Sequence, residues 1–160
     1  MTRVLPIPKT VKDLFEDLLG RSVTVSPADP IRAVDLPKTL VSLFVDHNMQ
    51  LTALVGMDLP LTANVGAAIG LIPPGGAEAC IEDGEISKLI GENIREVLNV
   101  LGSLLNQEGM AHLKLHQMFL PGESPPLDAI AHIKAIGRRV DLRVDVAGYG
   151  GGKLSINFTN

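Results

Sequence analysis

The sequence predicts an α+β domain, a largely antiparallel sheet with long helices packed on one face. Three observations carry this. Glu82–Gln107 holds the longest helical pattern in the chain. At about 100° per residue, Ile86, Ile90, Ile94, Val97, Leu98, Leu101, Leu104 and Leu105 fall within roughly a 120° arc, the width of a core-facing stripe. Arg138–Ala147 alternates, with Val140, Leu142, Val144 and Val146 set against Arg139, Asp141, Arg143 and Asp145. That is the pattern of a half-buried antiparallel strand. Thr39–Asp46 and Met49–Met57 are rich in Val, Leu, Thr and Phe and are separated only by His47-Asn48. The spacing predicts a hairpin, because Asn tolerates positive φ.

The remaining elements follow in order. Thr10 is placed to cap a helix over Val11–Leu19, with Gly20 at its C-terminal stop. Arg21–Ser26 reads as a strand through Val23 and Val25. Pro27–Pro37, with three prolines and two aspartates, reads as a loop. Asp58 is positioned as a helix cap with Pro60 in the first turn. Over Leu59–Leu71 helix and strand compete, since Gly66 and Gly70 each weaken a helix by about 1 kcal/mol. Pro73-Pro74-Gly75-Gly76 is expected to break the chain before one long helix of about 25 residues, some 37 Å in length. Ala111–Leu120 reads as a strand, and Ala129–Ile136 as a short amphipathic segment stopped by Gly137. Gly148–Gly152 is expected to turn the chain into a last strand, Lys153–Thr159. A phosphate loop would open a helix there instead.

At 160 residues the chain suits a single domain, 1–160. Hydrophobic residues make up 46%, enough for a core, while aromatics make up only 3%, so that core is aliphatic. Few aromatics leave little for base stacking, and a formal charge of −4 opposes a phosphate-backbone binder. No nucleic-acid partner is expected. The lone Cys80 gives no disulfide framework. Neither a signal peptide nor a run of about 18 apolar residues is visible, so no membrane association and a cytoplasmic location are expected. His112 and His116 are four apart, but on a strand they stand about 13 Å apart, too far to share an ion. No metal site is expected.

The face of the long helix opposite its stripe is either a solvated surface or a site. Glu92, Glu96, Asn99 and Ser103 fall within about 60° of one another. Glu96 and Asn99 are neighbours at i and i+3. A carboxylate accepts hydrogen bonds and pairs with cations; a carboxamide both donates and accepts, so it can orient a water. Such a pair suits positioning chemistry, in which water attacks an already activated group. Lys88 and Arg95 sit among the acids, where they are expected to offset the Glu92–Glu96 repulsion. Leu89 and Val100 flank this face, as apolar spots on a docking rim with Lys88, Arg95 and Ser103.

The pattern Glu92-Asn93-Ile94-Arg95-Glu96-Val97-Leu98-Asn99, followed after twenty-one residues by Pro121, resembles the signature of the CheC/CheX chemotaxis phosphatases. The single-site CheX type is the nearest match. Glu92 departs from the Asp or Ser found there. The resemblance implies a CheX-like fold with a helix at 59–71 and a homodimer formed through the sheet. It implies one active site, because the first helix lacks a second E-x-x-N. The implied activity is hydrolysis of the aspartyl phosphate of a phosphorylated CheY-type response regulator. In it Asn99 orients water, Glu96 pairs with a regulator lysine, and Glu92 and Pro121 support them. No cofactor of its own is implied; Mg2+ comes with the regulator. The alternative is a noncatalytic interaction module of the same fold, of flagellar-switch or signalling-adaptor type.

Overall fold

The computed structural model describes residues 2–159. Six strands form one sheet in the order β1-β5-β6-β3-β2-β4, and every neighbouring pair is antiparallel. They are β1 (Val23–Pro27), β2 (Thr39–Val45), β3 (Leu51–Asp58), β4 (Lys114–Phe119), β5 (Arg139–Val146) and β6 (Gly150–Phe158). The helices are α1 (Pro8–Leu19), α2 (Leu59–Ile69), α3 (Pro74–Asp83), α4 (Lys88–Leu101) and α5 (Leu127–Lys134).

Alternation decides the two faces of the sheet. Leu142, Val144 and Val146 of β5, Leu154 and Ile156 of β6, and Val55 and Met57 of β3 point to one side. There they meet Val11 and Phe15 of α1, Leu61 and Val65 of α2, and Ile94, Leu98 and Leu101 of α4. The competing readings of Leu59–Leu71 resolve to helix. Asp58 caps it, its carboxylate accepting from the Leu61 N–H at 3.0 Å. The two glycines that weaken α2 are the ones that let α4 approach. A Cβ on Gly66 would lie 2.6 Å from Ile90 Cγ2, and one on Gly70 would lie 2.4 Å from the Asn93 amide.

The opposite face is covered in part by α5. Ala129 and Ile133 pack there on Val41, Leu43 and Leu54. The helices are therefore not all on one side, although α1, α2 and α4 are. Arg139 holds α5 in place. Its guanidinium donates to the Ile133 and Ala135 carbonyls at 2.8 and 2.9 Å and pairs with Asp141 at 2.7 Å.

Four expectations are corrected. Glu82–Gln107 is not one helix. Gly84, at φ 74°, ends α3 by donating its N–H to the Cys80 carbonyl, and Ser87 starts α4 by capping Ile90. Pro73-Pro74-Gly75-Gly76 does not simply break the chain, since Pro74 occupies the first turn of α3, where a missing N–H costs nothing. Within Pro27–Pro37 the chain already enters a 3-10 turn, Ala33–Lys38. Gly150–Gly152 pairs with β5 as the start of β6 instead of forming the turn.

Candidate functional site

The burial pattern of α4 divides it cleanly. Ile90, Gly91, Ile94, Val97, Leu98 and Leu101 are buried. Lys88, Leu89, Glu92, Arg95, Glu96, Asn99, Val100 and, just past the helix, Ser103 are exposed. Glu96 and Asn99 thus stand side by side on a solvent-facing surface. Neither side chain makes a hydrogen bond or ion pair with any described residue. Lys88 and Arg95 share the face with Glu92 and Glu96 but form no ion pair with them. The ion pairs among the described residues lie elsewhere, on α1, at Arg32–Asp35 and along β5. The face offers four charges in no close ion pair, two of each sign, and a free carboxamide.

The position of α4 is fixed from below. Asn93, half-buried, donates its side-chain amide to the Gly66 carbonyl at 3.0 Å, tying α4 to α2 where the two helices touch. Gly91 lies against Leu120, with a Cβ there 3.3 Å from Leu120 Cδ1. This brings the end of β4 to the N-terminal half of α4. Pro121 is buried beside it, and the next residue, Gly122, donates its N–H to the Pro37 carbonyl at 2.9 Å. Pro121 is therefore buried and not part of the exposed face of α4.

Three hollows border the face. Leu89 lies on the rim of one between α3 and α4, about 390 Å³, lined also by Ile72, Cys80 and Ile86. Val100 faces a second, about 430 Å³, with Leu14 and Leu18 of α1 and Leu104. Asn99 and Ser103 line a third, about 220 Å³, with Asn106, His112, Lys114 and Leu115. Leu89 and Val100, 56% and 43% exposed, put apolar surface at both ends of the polar stretch.

Sequence reasoning missed Asn93, His112, Lys114 and Arg3. Asn93 carried a signal: it lies between the stripe residues Ile90 and Ile94 and cannot be fully solvated. His112 and Lys114 reach Asn99 only because β4 returns beside α4, which no local pattern encodes. Arg3 is buried and donates to the carbonyls of Leu105, at 2.8 Å, and Ala111. It satisfies carbonyls where the α4 segment ends, a contact over more than a hundred residues.

No family model matches the chain, and no curated protein matches it. Solved structures do. One is CheX of Borrelia burgdorferi in complex with CheY, BeF3 and Mg2+. It aligns with a TM-score of 0.54 at 11% identity, over 92% of this chain and 92% of that one. The chain has the CheC/CheX-like fold. A CheC-like superfamily protein from Shewanella sp. PV-4 gives 0.53 at 14% identity, over 95% and 94%. FliM of H. pylori, in a complex with SpeE, gives 0.63 at 9% identity, over 94% and 80%. Members of this fold group are thus seen bound to other proteins. Among the described residues no three metal-binding side chains come together, and no helix is long and apolar enough to cross a membrane.

Proposed function

We propose that this protein is a phosphatase for the aspartyl phosphate of a phosphorylated CheY-type response regulator. The observation that carries the reading is the exposed, unpartnered Glu96–Asn99 pair on a rigidly seated helix. A carboxylate and a carboxamide left without internal partners are available to an incoming protein. On docking, Asn99 holds a water in line with the phosphorus. The water attacks, the P–O bond to the aspartate breaks, the aspartate leaves as carboxylate, and inorganic phosphate is released. An acyl phosphate is already activated, so positioning and electrostatics suffice. Glu96 pairs with a lysine beside the phosphorylated aspartate and sets the register of the two proteins. Glu92 supports the acidic side of the face. Lys88, Leu89, Arg95, Val100 and Ser103 form the rim on which the regulator docks, and Pro121 supports the helix from beneath. Mg2+, which neutralises phosphoryl charge, comes with the regulator. A homodimer joined through the sheet, whose outer strands are β1 and β4, and a cytoplasmic location belong to the same reading.

The test is a dephosphorylation time course against a panel of phosphorylated receiver domains, each with Mg2+. Accelerated phosphate release from at least one domain is expected. Release at the autohydrolysis rate from all of them overturns the proposal.

The second reading, a noncatalytic interaction module of flagellar-switch or signalling-adaptor type, is favoured by two observations. The FliM alignment has a higher TM-score than the CheX one. Glu92 also replaces the Asp or Ser of the phosphatase pattern. Tight binding to a receiver domain or to a flagellar protein without any turnover would select it.

A further inference from the structure

The hollow beside Asn99 differs from the helix face it adjoins. It is lined by Asn99 and Ser103, by Asn106, by His112 on the approach to β4 and by Lys114, the first residue of β4, with no acidic residue in its wall. The face next to it carries Glu92 and Glu96. That face mixes both signs, since Lys88 and Arg95 stand there too, whereas the hollow beyond Asn99 holds a cation and hydrogen-bond donors and no acid. The cationic side is also built to hold its shape. Asn106 grips both backbone polar groups of Leu113. Its amide donates to the Leu113 carbonyl at 3.1 Å, and its carbonyl oxygen accepts the Leu113 N–H at 2.7 Å. Leu113 itself is buried. His112 and Lys114, on either side of this fixed point, are both exposed, and neither side chain is engaged by any described residue. Two free donors flank a clamped residue, over a depression large enough for a side-chain carboxylate.

We propose that the His112–Lys114 hollow is an anion site that receives an acidic side chain of the docked protein. It thereby sets which partner, and which orientation of it, is accepted at Asn99. The inference deepens the phosphatase reading, on which it rests for the nature of that partner. A fitting partner presents a cation toward Glu96 and a carboxylate toward Lys114, on opposite sides of the group that Asn99 serves. A partner rotated by half a turn sets like charges against each other at both points, which disfavours it. Lys114 supplies a permanent positive charge. His112 adds a ring N–H donor.

Two measurements test this with the intact chain. The first follows amide and side-chain chemical shifts while a tetraglutamate peptide is titrated at low salt. Saturable shifts confined to Asn99, Ser103 and residues 112–115 are expected, and they should vanish in Lys114→Glu. Shifts spread over all surface lysines, or shifts retained in that variant, overturn the site. The second uses a receiver domain that the wild type dephosphorylates. Lys114→Glu should raise KM by about 5-fold or more while changing kcat less, since one exposed ion pair is worth about 2- to 5-fold and reversal adds repulsion. Lys114→Gln should fall between the two. Wild-type turnover with KM unmoved in Lys114→Glu overturns the anion site and leaves the phosphatase reading standing. Localised peptide shifts with no turnover of any receiver domain keep the anion site and remove the phosphatase reading.

Discussion

Glu96 and Asn99 ask different things of a partner, and their variants separate accordingly. Asn99→Ala removes the group proposed to orient water and nothing that the fold uses, because its side chain has no described partner. Turnover should fall by about 10²–10³ while the melting temperature stays put. Near-normal turnover would take Asn99 out of the mechanism. Glu96→Gln keeps the shape and removes the charge. The isolated protein should be as stable or slightly more so, because Glu92 and Glu96 stand at i and i+4 with no ion pair to shield them. Binding to a receiver domain carrying a phosphoryl mimic should weaken by about 2–5 kcal/mol if the pair is buried on docking. Added salt should weaken the wild-type complex more than the variant's. Equal affinities at both salt levels would reduce Glu96 to a solvated surface residue. This pair was legible in the sequence, because helical periodicity fixes which side chains oppose a stripe. Its surroundings were not. His112 and Lys114 belong to another element, and Lys88 and Arg95 fail to pair although their spacing allows it.

At the level of elements, caps were legible and crossings were not. Asp58 was readable as the cap of α2 because the residue type and the following Pro60 announce it. What Gly66 does was hidden, since the sequence displays only its cost to helix propensity. Its use is the contact with Ile90, which appears once α4 is laid across α2. Gly66→Ala should therefore destabilise by about 1–3 kcal/mol despite its better propensity, seen as a lower urea midpoint. A midpoint that rises would mean that the helices separate freely. The break at Gly84 escaped notice for a related reason. The apolar stripe begins just after it, and only the left-handed φ of Gly84 and the cap at Ser87 show that the chain restarts. Asp58 carries a second consequence. Burial raises its carboxyl pKa above the ordinary range, and the N–H groups of Leu61 and Lys153 with the charges of Arg143 and Lys153 only partly offset that. The folded form then holds its proton more tightly than the unfolded one. This group's contribution is thus most favourable below the ordinary carboxylate value of about 3.9 and declines as pH rises through the raised folded value. Asp58→Asn keeps an equally good cap and abolishes that decline. The stability difference, variant minus wild type, should grow in the variant's favour between pH 4 and pH 7. A difference that does not change with pH would show that Asp58 ionises in the fold without penalty.

Across the whole molecule, the sheet's antiparallel character could be read from alternation, but its order could not. Nothing local says that β6 inserts between β5 and β3, or that α5 crosses to the far face. Those placements come from pairing and from where apolar area remains to be covered. Arg3 belongs to the same class, as a buried cation whose carbonyl partners lie across the chain. The architecture nevertheless makes one demand that can be measured globally. The two faces of α4 should be separable, one supporting the fold and the other the proposed chemistry. Leu101 is 1% exposed and sits in the main core with Ile94 and Leu98. Leu101→Ala should cost about 2–5 kcal/mol, the transfer of its side chain plus the cavity it leaves. For a domain of this size each kcal/mol moves the melting temperature by about 2–4 °C, so a fall on the order of 10 °C is expected. Glu96 and Asn99 project from the other side of the helix and lose no contact. Turnover per folded molecule, with the folded fraction read from the same urea curve, should therefore remain within about 3-fold of wild type. That bound follows from the roughly 0.5 kcal/mol expected of a change without direct contact. A large drop in turnover per folded molecule would mean that α4 shifts as the core relaxes, and that the site depends on packing more finely than its two-faced arrangement implies. An unchanged melting temperature would place Leu101 outside the core and reverse the facing of the helix.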